Sequence, residues 1–200
     1  IKHSVGGSRY ARARVAAFMG LKLIREMTGG EAIACLCDLD PGDFRQRYYW
    51  RLPARMEGAL FLARHGETDD SVTRVDPAER YPVRGAAAHA VYENDRVQRF
   101  MELLARAPDD YGALEKAGRL MYASHWSYGH LIGLGARETD LLVSLARRAS
   151  LAAGIYGAKI TGGGCGGTVA LLAAPDARPV VASIAEEYGR RTGMVPEVLE

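Results

Sequence analysis

The stretch Lys159-Ile160-Thr161-Gly162-Gly163-Gly164-Cys165-Gly166-Gly167-Thr168 places five glycines in six positions between two β-prone runs, Tyr156 to Thr161 and Thr168 to Ala173. Each glycine gives up more backbone entropy on folding than other residues do. Such a run is tolerable where the backbone must take positive φ or let a ligand approach closely. A row of peptide N–H groups without side chains makes an anion-binding concavity; the plainer reading is a flexible hairpin. The run fits neither the Walker A pattern nor the dinucleotide Gly-x-Gly-x-x-Gly, which follows a strand and opens a helix.

Downstream, Pro175-Asp176 reads as the cap of a helix with Val181, Ile184, Ala185 and Tyr188 on one face. Gly193 ends that helix, and Met194 to Leu199 is expected to be a closing strand. Upstream, Leu141, Leu142, Leu145 and Ala149 mark a buried helical face with Arg147 and Arg148 outward. A further helix has Tyr111, Leu114, Gly118 and Met121 as its stripe. From Glu93 an amphipathic helix carries Val97, Phe100, Met101 and Leu104 at i, i+3, i+4 and i+7. The first helix, from about Arg12 to Met27, has Ala17, Phe18, Leu21 and Ile24 on one face, and Gly29-Gly30 stops it. The class is α+β, a helical layer on a small, mostly antiparallel sheet of split β-α-β (ferredoxin-like) type. The middle, about 43 to 90, is irregular: Leu60-Phe61-Leu62 suits a strand or a helical turn, and Pro77 and Pro82 break short extended signals.

The 200 residues include 26 Lys+Arg and 24 Asp+Glu, a formal net charge of +2. This balance argues against a dedicated nucleic-acid binder, which needs a concentrated basic face. With 48% hydrophobic and 25% charged residues the chain has an ordinary globular composition, not a disordered or fibrous one. No apolar run reaches the roughly 18–20 residues of a membrane helix, so no membrane partner is expected. Three cysteines, Cys35, Cys37 and Cys165, make no disulfide framework. Cys35 and Cys37, in the apolar run from Glu31 to Asp40, read as buried thiols on one face of a strand, with a metal pair as the sharper alternative. The expected compartment is the cytoplasm. Ile1-Lys2-His3-Ser4 has neither an initiator Met nor a signal-peptide layout, and a longer parent protein is expected.

Residues Gly157 to Val169, with the glycine run at their centre, closely resemble the third motif of the GHMP small-molecule kinases. That family includes the galactokinases and the homoserine, mevalonate and phosphomevalonate kinases. The opening His3-Ser4-Val5-Gly6-Gly7-Ser8-Arg9-Tyr10 through Arg14 resembles the segment after the galactokinase group's second motif. Ala34 to Leu39, Val72 to Arg84, Tyr92-Glu93-Asn94, Ser124-His125-Trp126-Ser127-Tyr128 and Gly133-Leu134-Gly135 resemble the L-arabinokinase branch. The resemblance divides the chain into 1–30 (end of the N-terminal kinase domain), 31–108 (an irregular middle with an inserted helix) and 109–200 (the C-terminal domain). It implies a sugar-1-kinase that uses ATP and Mg²⁺ on a monosaccharide, L-arabinose first and D-galactose second. Tyr10 would contact the sugar. Gly162, Gly163, Gly164, Gly166 and Gly167 would shape the transfer site, with Lys159 and Thr161 as secondary candidates. The nucleotide-cradling loop and the acidic base would lie upstream, in the missing N-terminal half, so no catalytic residue and no metal ligand is assigned within this chain. Two positions depart from the family: Arg9 stands where relatives carry an acid, and Cys165 where they carry a small or aromatic residue.

Two other readings compete. Arg64-His65-Gly66-Glu67-Thr68 reproduces the histidine-phosphatase signature, which belongs at the end of a first strand, with a second histidine late in the chain. Here only His89, His125 and His130 are available to be that second histidine. His125 and Tyr128 otherwise read as packing residues beside Tyr122 and Trp126. The third reading is a kinase-like sugar sensor without catalysis. The Arg-rich stretch Arg45 to Arg55 is a solvated surface, or an interface with Tyr48, Tyr49 and Trp50 as anchors.

Overall fold

A computed structural model describes residues 8–29, 33–110, 112–149, 151–162 and 167–199. The chain forms two compact units, one built of Val5–Asp95 with Ser127–Leu134, the other of Arg96–Trp126 with Gly135–Glu200.

The first unit opens with α1 (Ser8–Met27), which ends as expected before Gly29, at φ 68°. Leu21 and Ile24 are buried on it, but so are Val15, Ala16, Met19 and Leu23. The buried arc is therefore wider than one stripe, because the helix is packed from several sides. After it, Pro41-Gly42-Asp43 does not merely turn the chain. Asp40 accepts from the Gly42 and Asp43 N–H groups, Pro41 takes the first helical position, and a short helix α2 (Pro41–Asp43) runs on into a π-helical turn over Phe44–Tyr48. Strand β1 (Met56–Glu57) leads into α3 (Gly58–His65), which resolves the Leu60–Leu62 ambiguity in favour of helix. β1 pairs antiparallel with β2 (Arg80–Tyr81), and the Arg12 guanidinium donates to the Arg80 carbonyl at 2.7 Å. Phe44, Leu52, Phe61, Val83 and Val91 close this core.

Helix α4 (Val83–Arg106) begins ten residues before the expected Glu93. Its i, i+3, i+4, i+7 stripe is split: Phe100 and Leu104 pack with the buried Leu103, while Val97 and Met101 are 47% and 61% exposed. Periodicity locates an apolar stripe but not the element that covers it. Helix α5 (Ala113–Ile132) buries Ala113, Ala117 and Met121, with Leu114 half-buried; Tyr111 lies outside the described residues.

In the second unit, α6 (Arg137–Ala149) buries Leu145 with Val143 and Ala146 and leaves Leu141 and Leu142 half-buried. Strands β3 (Ile155–Thr161) and β4 (Thr168–Ala173) form the expected antiparallel hairpin, in register from Gly157↔Leu172 to Thr161↔Thr168. Helix α7 (Arg178–Thr192) buries Ile184 and Tyr188 and ends on Gly193 at φ 71°. The α+β class and the antiparallel pairing under helices are as read from the sequence. Two local expectations fail. Met194–Leu199 is not a strand, and Val195 and Leu199 are 93% and 77% exposed; β propensity alone does not dock a run onto a sheet edge. The run around Cys35 is a 3₁₀ turn (Leu36–Asp38), not a strand. The Asp38 carboxylate accepts the Cys35 N–H, Arg25 occupies the carbonyls of Ile33 and Ala34, and both Cys35 and Cys37 are exposed rather than buried. Cys165 lies outside the described residues.

Helix α5 meets β3 through glycine. A Cβ on Gly118 would sit 1.9 Å from the Tyr156 carbonyl oxygen, and one on Gly157 would sit 2.4 Å from the Gly118 Cα. Gly157→Ala is expected to cost about 1–3 kcal/mol by forcing these backbones apart. Gly129→Ala, on the same helix with nothing nearer than 3.9 Å, should be neutral or stabilising by up to about 1 kcal/mol. Denaturant midpoints of the two variants check the contrast.

Candidate functional site

The candidate glycine loop is carried on the tip of the β3–β4 hairpin. Its two described ends both take the left-handed backbone, Gly162 at φ 75° and Gly167 at φ 107°. A Cβ at Gly162 would face open space, so its backbone is accessible and the φ itself is what favours glycine there. Gly163, Gly164 and Gly166 lie outside the described residues. Of the two flanking candidates, Thr161 is exposed and Lys159 half-buried.

The root of this loop is held by a histidine. The Ile160 N–H donates to His125 Nδ1 at 3.3 Å, and His125 Nε2 lies 3.2 Å from the Asp140 carboxylate. An acceptor Nδ1 places the proton on Nε2, facing Asp140. His125 thus joins α5, α6 and β3 two residues before Gly162, a role beyond the packing expected of it. Asp140 was missed; the signal for it was a carboxylate in the first turn of the helix after Gly135. Trp126 is 53% exposed, so the expected aromatic cluster is looser than its spacing suggested. Tyr122 instead lies under the Arg147 guanidinium, 5.2 Å from the ring centroid.

Tyr10 sits in the first turns of α1 with 37% of its surface exposed. One turn on, the Arg14 guanidinium makes two 2.7 Å hydrogen bonds to the buried Asp70 carboxylate. Asp70 also accepts from the Val72 and Thr73 N–H groups and the Thr73 hydroxyl. These partners, Arg14 first, hold the Asp70 carboxyl far below the ordinary carboxylate range. Arg14 is raised in return, chiefly by its hydrogen bond to Asp70, with Tyr10 contributing in smaller part. On the other side, burial pushes the Tyr128 phenol up, with Glu93 and Tyr10 adding to the shift. His89 Nδ1 lies 2.7 Å from the Ser127 hydroxyl, and its ring meets Tyr128 edge-on at 4.9 Å. Tyr10 therefore stands among polar groups drawn from α1, α4 and α5.

Arg9, the departure from the family pattern, donates to the Gly133 carbonyl at 3.0 Å, just past the C-terminus of α5. A cation there complements both the free carbonyl and the helix dipole. The phosphatase-like motif ends a helix rather than a strand: His65 closes α3, pairs with Glu26 at 2.7 Å and lies against Phe61, and Gly66 turns the chain at φ 68°. That local structure opposes the phosphatase reading. Among the described residues no three His, Cys, Asp or Glu converge on a metal position, and no helix is long and apolar enough to cross a membrane.

Residues 100–190 match the family model "GHMP kinases C terminal". An L-arabinokinase of Arabidopsis thaliana is 35% identical over the whole of this chain, which spans 22% of that protein. A galactokinase of Chloroflexus aurantiacus is 32% identical over 96% of the chain, which spans 40% of it. The crystal structure of Lactococcus lactis galactokinase complexed with galactose superposes with a TM-score of 0.66 over 98% of this chain and 41% of that one, at 21% identity, a likeness of fold. The molecule is thus an α+β assembly of the galactokinase type. Residues 100–190 carry the C-terminal domain of the GHMP kinases, and the chain as a whole is similar to sugar kinases of that kind.

Two predictions test these contacts. Because the Asp70 pKa is depressed in the folded state, its contribution is fully present above the ordinary carboxylate value near 3.8 and is lost as pH falls below it. Asp70→Asn should cost about 3 kcal/mol at neutral pH, by leaving Arg14 without its anion, and should flatten the acid side of the stability–pH curve. Arg9→Glu, which restores the family's charge, should lower stability by about 0.5–1 kcal/mol by setting an anion against the Gly133 carbonyl. Chemical unfolding across pH reads both.

Proposed function

We propose that this chain is the C-terminal part of an ATP-dependent sugar-1-kinase, which transfers the γ-phosphate of ATP to the anomeric hydroxyl of a monosaccharide, L-arabinose first and D-galactose second. The observation that carries the reading is the end-to-end similarity to an L-arabinokinase, at 35% identity over the whole chain. The similar galactokinases extend it to the sugar kinases as a class. Since the chain spans well under half of these relatives, the nucleotide-cradling loop and the acidic base are assigned to the portion it does not span.

Within the chain, Tyr10 is the proposed sugar contact; its exposure and polar neighbours suit a hydroxyl-rich ligand. Gly162, Gly163, Gly164, Gly166 and Gly167 are the proposed transfer-site loop, with Lys159 and Thr161 at its base. The left-handed, accessible glycines at the loop's two ends fit a backbone that meets phosphate oxygens through N–H groups. ATP would supply the phosphoryl group, and Mg²⁺ the charge neutralisation that phosphoryl transfer requires. Mg²⁺ commonly rides on substrate phosphates with few protein ligands, and no protein ligand for it is assigned among the described residues. The proposed domains are 1–30 as the end of the N-terminal kinase domain, 31–108 as a middle segment and 109–200 as the C-terminal domain, and the grouping of Arg96–Trp126 with Gly135–Glu200 in one compact unit supports the last of these. The cytoplasm is the proposed compartment.

The test is ADP production by the full-length protein over a panel of L-arabinose, D-galactose and related sugars. Turnover with one of them is expected. In that enzyme Tyr10→Phe should raise KM for the sugar with little change in KM for ATP, and Gly163→Val should abolish turnover. Silence across the panel, from folded protein with Mg²⁺ present, would replace this reading with that of a sugar sensor.

A further inference from the structure

The first unit contains a cleft of about 520 Å³, within the roughly 300–1,000 Å³ of small-molecule sites. Leu52 and Met56 give it an apolar floor. Its walls carry Arg51, Arg55, Arg64, Arg80 and Arg84 against one carboxylate, Glu57. Five arginines against one acid leave four positive charges, more than the +2 of the whole chain, so the remaining surface is on balance acidic. Positive charge has been gathered here rather than spread.

The pairing inside the cleft sharpens the point. Arg80 takes Glu57 at 3.1 Å. Arg84 donates to the neutral Leu52 carbonyl at 2.9 and 2.7 Å, and its guanidinium lies 5.5 and 5.4 Å from the ring centroids of Tyr49 and Trp50. The side chains of Arg51, Arg55 and Arg64 have neither an ion pair nor a hydrogen bond among the described residues. Guanidinium groups that outnumber the carboxylates of the cleft repel one another, and a bound anion turns that repulsion into attraction. The fork of each guanidinium matches phosphate oxygens two at a time, and stacking on Trp50 holds Arg84 in place before a ligand arrives. A single carboxylate would leave most of this charge unanswered. A phosphomonoester brings about two negative charges and three acceptor oxygens.

We propose that this cleft, whose described lining does not include Tyr10, binds a phosphorylated small molecule. The proposal is independent of which sugar the kinase uses, and its readout does not require turnover. The protein has two tryptophans, and Trp50 lines the cleft. Full-length protein carrying Trp126→Phe would be titrated with inorganic phosphate, pyrophosphate and glucose 6-phosphate at constant ionic strength while Trp50 fluorescence is followed. The expected result is a saturable change with at least one probe. Its affinity should fall about tenfold in Arg55→Gln and in Arg64→Gln and stay unchanged in Arg191→Gln. No saturable change with any probe would overturn the proposal. So would an undiminished response in the double variant Arg55→Gln/Arg64→Gln with an unaltered unfolding midpoint. A response to poly-glutamate but to none of the phosphates would likewise overturn it and make the cleft a seat for an acidic polypeptide.

Discussion

The constraint on which the hairpin depends is the meeting of α5 and β3 without side chains. Gly118 and Gly157 bring the helix surface against the strand so tightly that a single methyl group on either would overlap backbone atoms. Buried cores tolerate no such overlap without displacement. With β3 held there, its register with β4 sets where the hairpin ends, and α6 and α7 close the opposite side through Val143, Ala146, Ile184 and Tyr188. The described ends of the tip, Gly162 and Gly167, are exposed; behind them β3 buries Ile155, Ala158 and Ile160, while β4 is exposed or half-buried throughout.

Polar anchors do the finer positioning. His125 takes the Ile160 N–H and turns its other nitrogen to Asp140, which ties the loop's root to two helices. In the other unit, Asp70 collects Arg14, two backbone N–H groups and a hydroxyl, and so fixes the segment after α3 on α1. A buried carboxylate satisfied this fully is strongly dependent on its partners, since removing one leaves the remaining charge without compensation. Its consequence for Tyr10 is indirect: Arg14 is engaged with Asp70, and the tyrosine one turn earlier stays partly exposed. Arg9 belongs to the same logic. It looks like a charge reversal beside a pocket, yet its guanidinium caps the end of α5.

Much of the fold was legible from residue pattern. The glycine run between two β-prone stretches marked the hairpin with β4 to the residue, and Gly29 and Gly193 marked helix ends that the backbone confirms at positive φ. The loop and Tyr10 stood out through motif resemblance; among the described residues, Tyr10, Gly162 and Gly167 are exposed. What could not be read was partner choice. Val97 and Met101 carry a regular apolar spacing and are exposed, Cys35 and Cys37 sit in an apolar run and are exposed, and Met194–Leu199 has β propensity and pairs with nothing. The Arg45–Arg55 stretch reads as a solvated surface or an interface, and its spacing gives no sign that α3, β2 and α4 bring Arg64, Arg80 and Arg84 beside it.

Local chemistry explains the difference. Sequence by itself determined the features that depend on a residue and its near neighbours: where glycine permits a left-handed turn, where a helix can start and stop, and the resemblance that identifies the family. Tertiary structure decided which apolar face is covered, which guanidinium meets a carboxylate and which stays unpaired, and that His125 supports the glycine loop. Those outcomes require groups far apart in the chain to meet. His125 and Ile160, or Arg14 and Asp70, attract each other appreciably only at hydrogen-bonding distance, and the packing of helices and strands alone brings them that close.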